Sequence, residues 1–75
     1  MIDERPQRIS IGFIGGQSLS ARVKPDELLR LRRALVETPL LWHELKADDG
    51  TVSLDLGKVV FVQVDDEDHR VGFGT

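Results

Sequence analysis

The sequence predicts a small α+β domain in which one helix covers an antiparallel sheet of about five strands. Length is the first observation, because 75 residues are enough for only one small domain. The second is a segment from about Pro25 to Glu37 with the apolar spacing of an amphipathic helix. The third is a series of short apolar runs separated by glycine and aspartate turns, which is typical of strands. We therefore expect a single domain over residues 1–75 with the order β-β-α-β-β-β.

Composition narrows the class of protein. The chain is 40% hydrophobic and 31% charged, which is typical of folded globular proteins. It contains no cysteine and therefore offers neither disulfides nor a thiolate zinc site. It has no apolar segment of membrane-spanning length and no signal peptide, so we expect a cytoplasmic location and no membrane partner. The formal net charge of −3 disfavours a nonspecific coat on nucleic acid.

The first hairpin is predicted by two sets of apolar residues that alternate with polar ones. Residues 1–7 are polar and are expected to form a loose N-terminal arm. For the two apolar sets to share one face, Phe13 should lie opposite Leu19 and Ile11 opposite Ala21. This pairing requires a three-residue loop, and residues 15–17 supply one with glycines that tolerate positive φ. The two sets are Ile9, Ile11 and Phe13, then Leu19, Ala21 and Val23.

The helix has clear signals at both ends. Pro25 suits the first helical position, and Asp26 and Glu27 place negative charge near the positive end of the helix dipole. Thr38 and Pro39 end the helix, since proline cannot continue the backbone bonding. The expected core stripe is Leu28, Leu31, Ala34 and Leu35, widened by Leu29 and Val36.

The second half of the chain predicts strands at 41–46, 51–56 and 59–64, with a last short strand at 70–73. The run from Val59 to Val64 is apolar on both faces, which predicts a central strand covered on both sides. The turn after Lys46 has two registers. A loop over residues 47–50 places Leu45 opposite Val52 and turns Trp42 away from the core, whereas a loop over 48–50 turns Trp42 inward. We favour the first register, because it keeps the leucines together.

No motif in the chain indicates catalysis, a metal site or a cofactor. The glycines at 12–16 lack the spacing of a phosphate-binding loop and open no helix. The acidic run at 65–68 does not match calcium-loop spacing. His43 and His69 lie on separate elements, and neither has a neighbouring nucleophile with an orienting carboxylate. We therefore expect a protein that is not an enzyme.

Uncovered apolar surface indicates an interaction module instead. One helix covers only one face of the sheet, and large exposed apolar patches are rare on monomers. Tryptophan is enriched at protein interfaces. The sequence thus predicts a non-catalytic binding or assembly module that forms a homo-oligomer or binds a protein partner, with an interface that includes Trp42, Val59 and Phe61.

A nucleic-acid-binding regulatory protein is the alternative function. Guanidinium groups bind phosphates bidentately, and basic residues are concentrated before and on the helix. Against this, Glu27 and Glu37 lie close by on the same helix, and aromatic residues for base stacking are missing from the neighbourhood. The residues that would bind nucleic acid are Arg22, Lys24, Arg30, Arg32 and Arg33.

Several short stretches resemble a family of roughly 75-residue actinobacterial proteins of unknown function. The resemblance implies a small α+β fold and adds no site residue. Some relatives carry an ATP-binding label, which makes a nucleotide-binding protein a further alternative, although no residue here supports it. This chain differs in its shorter first hairpin, which lacks the Arg-Glu-Leu of that family. The similar stretches are Ile11-Gly12-Phe13, Pro25-Asp26-Glu27-Leu28, Ala34-Leu35, Asp49-Gly50, Val59–Val64 and the closing Arg70-Val71-Gly72-Phe73-Gly74.

Overall fold

The computed structural model describes residues 5–65, which form one helix and five strands in two antiparallel sheets. The first sheet has three strands in the order β2-β1-β5, and the second pairs β3 with β4. A single 3-10 turn joins β4 to β5. This architecture confirms the small α+β fold and its order of elements. The bounds are β1 (Gln7–Phe13), β2 (Ser18–Val23), α1 (Pro25–Glu37), β3 (Trp42–Ala47), β4 (Gly50–Asp55), the 3-10 turn (Leu56–Lys58) and β5 (Val59–Val64).

Two expectations concern the ends of the chain. The predicted strand at 70–73 lies outside the described residues, as do the first four residues of the predicted arm. Gln7 already belongs to β1, because it pairs with Val23 of β2. The predicted end of the N-terminal arm, at Gln7, is therefore one residue too late in the sequence.

The β1–β2 hairpin has the predicted three-residue loop, but the loop begins one residue earlier than predicted. It comprises residues 14–16, and the Phe13 N–H donates to the Gln17 carbonyl at 2.9 Å. Gly15 and Gly16 both have positive φ, at 101° and 92°, which favours glycine at these positions. Ile11 consequently lies opposite Leu19, and the predicted pairing of Phe13 with Leu19 is wrong. The apolar residues still share one face, because the shift is by a whole period of two.

Among residues 5–65 the strand β5 lies at an edge of the sheet, and Val60 and Phe61 are exposed, so the prediction of a strand covered on both faces is wrong. It pairs only with β1, which is the central strand of the sheet. Val62 and Val64 face the core opposite Ile11 and Ile9. The pairing is irregular between Gly12 and Phe13, as expected of a β-bulge. Within residues 5–65, the apolar run from Val59 to Val64 therefore forms an edge strand with one exposed face.

The β3–β4 hairpin has the register that we favoured. Leu45 lies opposite Val52, and His43 lies opposite Leu54. The pairing extends to Ala47 and Gly50, where Gly50 adopts a φ of 145°. The leucines thus point to the core, and Trp42 lies exposed at the start of β3.

The helix begins and ends where the sequence predicts. Pro25 is its first residue, and at its end the Thr38 N–H and Oγ1 both donate to the Ala34 carbonyl, at 2.8 and 3.1 Å. Glu27 connects the helix to β3, because its Oε1 accepts a hydrogen bond from the Lys46 N–H at 3.2 Å. Within residues 5–65, no helix is long and apolar enough to cross a membrane.

One hydrophobic core joins the helix to both sheets. Leu28 and Leu31 enter it from the helix, whereas Leu29 and Val36, which were expected to widen the stripe, are exposed. The helix therefore packs with a narrower face than its sequence suggests. The buried side chains are Ile9, Ile11, Val23, Leu28, Leu31, Leu45, Leu54 and Leu56.

Replacement of Leu31 should test how much this core contributes to stability. Leu31→Ala should lower the free energy of unfolding by about 2–5 kcal/mol through lost burial and the remaining cavity. Leu29→Ala, at an exposed position of the same helix, should change it by no more than about 0.5 kcal/mol. Urea denaturation followed by circular dichroism measures both. Equal effects of the two substitutions would contradict the placement of the helix.

Candidate protein interaction surface

Three connecting segments meet around the 3-10 turn. The Ile14 N–H, in the β1–β2 loop, donates to the Lys58 carbonyl at 2.8 Å. The Leu56 N–H donates to the carbonyl of Leu41, in the connection between α1 and β3, at 3.2 Å. Leu40 lies beside Gly57, since a Cβ built on that glycine would come 3.7 Å from the Leu40 Cδ2. These contacts place the β1–β2 loop and the α1–β3 connection at the same end of the protein.

Large apolar side chains at this end are exposed to solvent. The exposed fraction is 65% for Ile14, 80% for Leu40, 59% for Leu41 and 67% for Trp42. We refer to these four residues as the apolar end. Single exposed apolar residues are ordinary, but several around one turn indicate a contact surface.

A cleft of about 490 Å³ opens into the core beside the apolar end. It lies between β2 and the second sheet. A hydrogen bond joins β2 to the turn of the second sheet at one end of the cleft. The Arg22 carbonyl accepts it from the Asp48 N–H at 3.0 Å. The lining is mainly apolar, with half-buried Phe13, Leu19 and Val52. The complete lining is Phe13, Gln17, Ser18, Leu19, Trp42, Val52, Ser53, Leu54 and Asp55.

Trp42 belongs to both the apolar end and the cleft. As the first residue of β3, it pairs with Asp55 of β4. The Asp55 Oδ1 accepts a hydrogen bond from the Gly57 N–H at 3.1 Å, which holds this carboxylate at the start of the 3-10 turn. An indole next to a carboxylate is a favourable environment for a cation, through charge attraction and the face of the ring.

The other two predicted interface residues lie on β5, which follows the 3-10 turn. Val59 is half-buried and packs against the core. Phe61 projects from the opposite face of β5, across from Gly12, with 47% of its surface exposed. Val59 and Phe61 therefore lie on opposite faces of β5, and the interface with Trp42 stays a prediction.

The position of Phe61 depends on Gly12. A Cβ built on Gly12 would overlap the Phe61 ring, so the ring lies directly over the glycine. This arrangement shields the backbone of β1 on the face of the sheet opposite the core. Covering a glycine with an aromatic ring from the neighbouring strand is a known way to stabilise a sheet.

The five basic residues of the nucleic-acid alternative lie on different sides of the protein. Arg22 pairs across the sheet with Arg8, on the face away from the core. Arg8 also forms an ion pair with Asp65, with 3.5 Å between Nε and Oδ2. The helix packs against the other face, so its arginines are separated from Arg22 by the sheet and the core. Lys24 is the residue that precedes the helix, and it is exposed.

The helix arginines share their surface with acidic residues. Helical spacing places Asp26 four residues before Arg30 and Glu37 four residues after Arg33, and residues at this spacing are neighbours. Arg32 lies on the flank of the helix, between the outward side that carries Arg30 and Arg33 and the side that faces the core. The outward side of the helix therefore alternates in charge instead of forming a continuous basic surface.

His43 occupies the core-facing side of β3, where its Nε2 is buried and has no hydrogen-bond partner among residues 5–65. In the same part of the chain, no group of three His, Asp or Glu residues is placed to hold a metal ion. His69 and most of the acidic run at 65–68 lie outside the described residues.

The sequence interpretation missed most of the apolar end. Ile14 follows a predicted strand, and Leu40 and Leu41 follow the proline that ends the helix. A usable signal was present, because Leu40 and Leu41 form an apolar run directly before β3, in a connection that runs over the protein surface. The position of these leucines and of Ile14 at the same end of the protein depends on hydrogen bonds to the 3-10 turn. No local sequence pattern predicts those hydrogen bonds.

Comparisons with models of known protein families, with curated proteins and with solved structures found no match to this chain.

A double-mutant cycle should test the contact between Gly12 and Phe61. Gly12→Ala alone should lower the free energy of unfolding by about 1–3 kcal/mol, since the new methyl group displaces the ring. In a Phe61→Ala background the same change should cost less than about 1 kcal/mol, because the obstacle is gone. Chemical denaturation of the four proteins gives the coupling, and strictly additive effects would contradict the contact.

Substitution of His43 should increase stability. His43→Leu removes a buried ring nitrogen that lacks a partner, and such a group costs about 1–3 kcal/mol. The Tm should therefore rise, as measured by differential scanning calorimetry at pH 7. Ser53→Leu, at an exposed position on the neighbouring strand, should leave the Tm nearly unchanged. A lower Tm for His43→Leu would contradict a destabilising, unpartnered Nε2 at this position.

Proposed function

We propose that this protein is a non-catalytic binding or assembly module of the cytoplasm that acts through protein contact at its apolar end, with a second copy of the chain as its partner. One observation carries the proposal: four large apolar side chains around the 3-10 turn are each at least 59% exposed. Leaving this surface in water is unfavourable by roughly 25 cal/mol per Å² of apolar area. Contact with another protein would remove it from solvent.

Charge supports a second copy as the partner. None of the four residues of the apolar end is charged, so two copies can bring these surfaces together without opposing like charges at the centre. A two-fold arrangement would place Trp42 of each copy near the middle of the contact, where tryptophan contributes most to binding. Small size gives a further reason, because domains of this length often gain stability by oligomerisation.

Charge substitution at the apolar end should dissociate the assembly. Leu40→Glu introduces a carboxylate into the contact of each copy, and we expect the dissociation constant to rise about 100-fold, which corresponds to about 2.7 kcal/mol. Leu29→Glu provides a matched control, because Leu29 is also an exposed leucine, at 61% against 80% for Leu40, and lies on the first half of the helix. Sedimentation equilibrium over a range of concentrations measures the association of each variant.

Circular dichroism should first establish that both variants remain folded. A wild-type protein that sediments as a monomer of 8.4 kDa at high concentration would overturn the proposal. Equal weakening by Leu29→Glu and Leu40→Glu would show that association occurs through another surface.

A further inference from the structure

The edge of β2 that faces away from β1 carries backbone groups that have no strand partner among residues 5–65. Alternate residues of an antiparallel strand direct their N–H and C=O groups to opposite sides. The Arg22 carbonyl points away from β1, because it accepts its bond from Asp48. Ser20 and Ser18, two and four residues earlier, must therefore direct their backbone groups the same way. Within residues 5–65, β2 pairs with β1 alone, and both serines are exposed.

This edge borders the apolar cleft. Ser18 and Leu19 contribute to the cleft lining, and the second sheet forms the opposite wall. The bond between Asp48 and Arg22 joins the two sides at one end, and the volume of about 490 Å³ remains at the other. A cleft of this size admits a short segment of chain but not a folded element.

We propose that the cleft binds an extended peptide segment of a partner protein, which adds to β2 as an antiparallel strand. Its backbone would pair with the outward N–H and C=O groups of Ser18 and Ser20. Strand addition of this kind derives affinity from main-chain hydrogen bonds and specificity from alternate side chains. The inference rests on the proposed function, since it gives that binding module a second kind of partner at a surface that shares Trp42.

Pairing with β2 determines which positions of the bound segment should be polar and which should be apolar. Residues opposite Ser18 and Ser20 would face solvent and should be polar, whereas the residue opposite Leu19 would face the cleft and should be apolar. Asp55 is the only charged residue in the lining, and it lies across from the exposed indole of Trp42. A lysine or arginine near the end of the segment would complement this pair. The ligand is thus a basic peptide of alternating apolar and polar residues.

Trp42 is the only tryptophan in the chain, so its fluorescence reports directly on the cleft. The probe is a synthetic peptide, Lys-Thr-Val-Thr-Val-Thr-Val-Lys, titrated into the Leu40→Glu variant so that self-association does not interfere. We expect a saturable blue shift of the emission. Two matched peptides should bind at least tenfold more weakly. One has glutamate in place of both lysines, and the other is N-methylated at its threonines, which blocks backbone pairing and preserves the side chains.

A protein variant provides the complementary test. Ser20→Pro removes the outward N–H, and edge strands tolerate proline at such positions, so it should weaken peptide binding at least tenfold and leave sedimentation of the otherwise wild-type protein unchanged. Equal binding of the N-methylated and unmodified peptides, or no saturable shift, would overturn strand addition whatever the behaviour of Ser20→Pro. Monomeric wild-type protein that still binds the peptide would overturn self-association alone.

Discussion

All parts of the fold depend on one small core built around Ile9 and Ile11 in the central strand. Both side chains are fully buried, and the helix and the second sheet pack against the same cluster. A two-stranded sheet is only marginally stable by itself, so β3 and β4 rely on Leu45 and Leu54 in that cluster. The sheets, helix and 3-10 turn therefore stabilise one another and are not independent units.

The limited size of this core explains where the exposed apolar surface lies. One helix and two short sheets can enclose the centre of the molecule, but the connections at one end extend beyond it. Leu40 and Leu41 belong to such a connection, and they contact the same 3-10 turn to which Ile14 is hydrogen-bonded. The cleft lies beside the edge of β2, which pairs with no second strand among residues 5–65. The apolar end and the cleft are adjacent and share Trp42.

The distribution of charge favours a protein partner over a polyanion. Arg22 and Arg8 lie next to each other on the outer face of the first sheet, but Asp65 pairs with Arg8 at the same place. On the helix, acidic residues lie one turn from Arg30 and Arg33. Neither surface offers the continuous positive charge that phosphate backbones require. The apolar end, by contrast, contains no charge that a partner would have to neutralise.

The sequence by itself determined the elements whose signals are local. The bounds of the helix follow from Pro25 and Thr38, and the register of the β3–β4 hairpin follows from the need to keep its leucines on one face. The place of β5 in the first sheet, the position of Val59 and Phe61 on opposite faces of that strand and the contacts of Ile14 and Leu40 with one turn were decided only by the tertiary structure. These features depend on the pairing of β5 with the distant strand β1 and on hydrogen bonds to the 3-10 turn. Contacts between residues so far apart in sequence leave no periodic pattern, because many alternative pairings bury the same apolar residues.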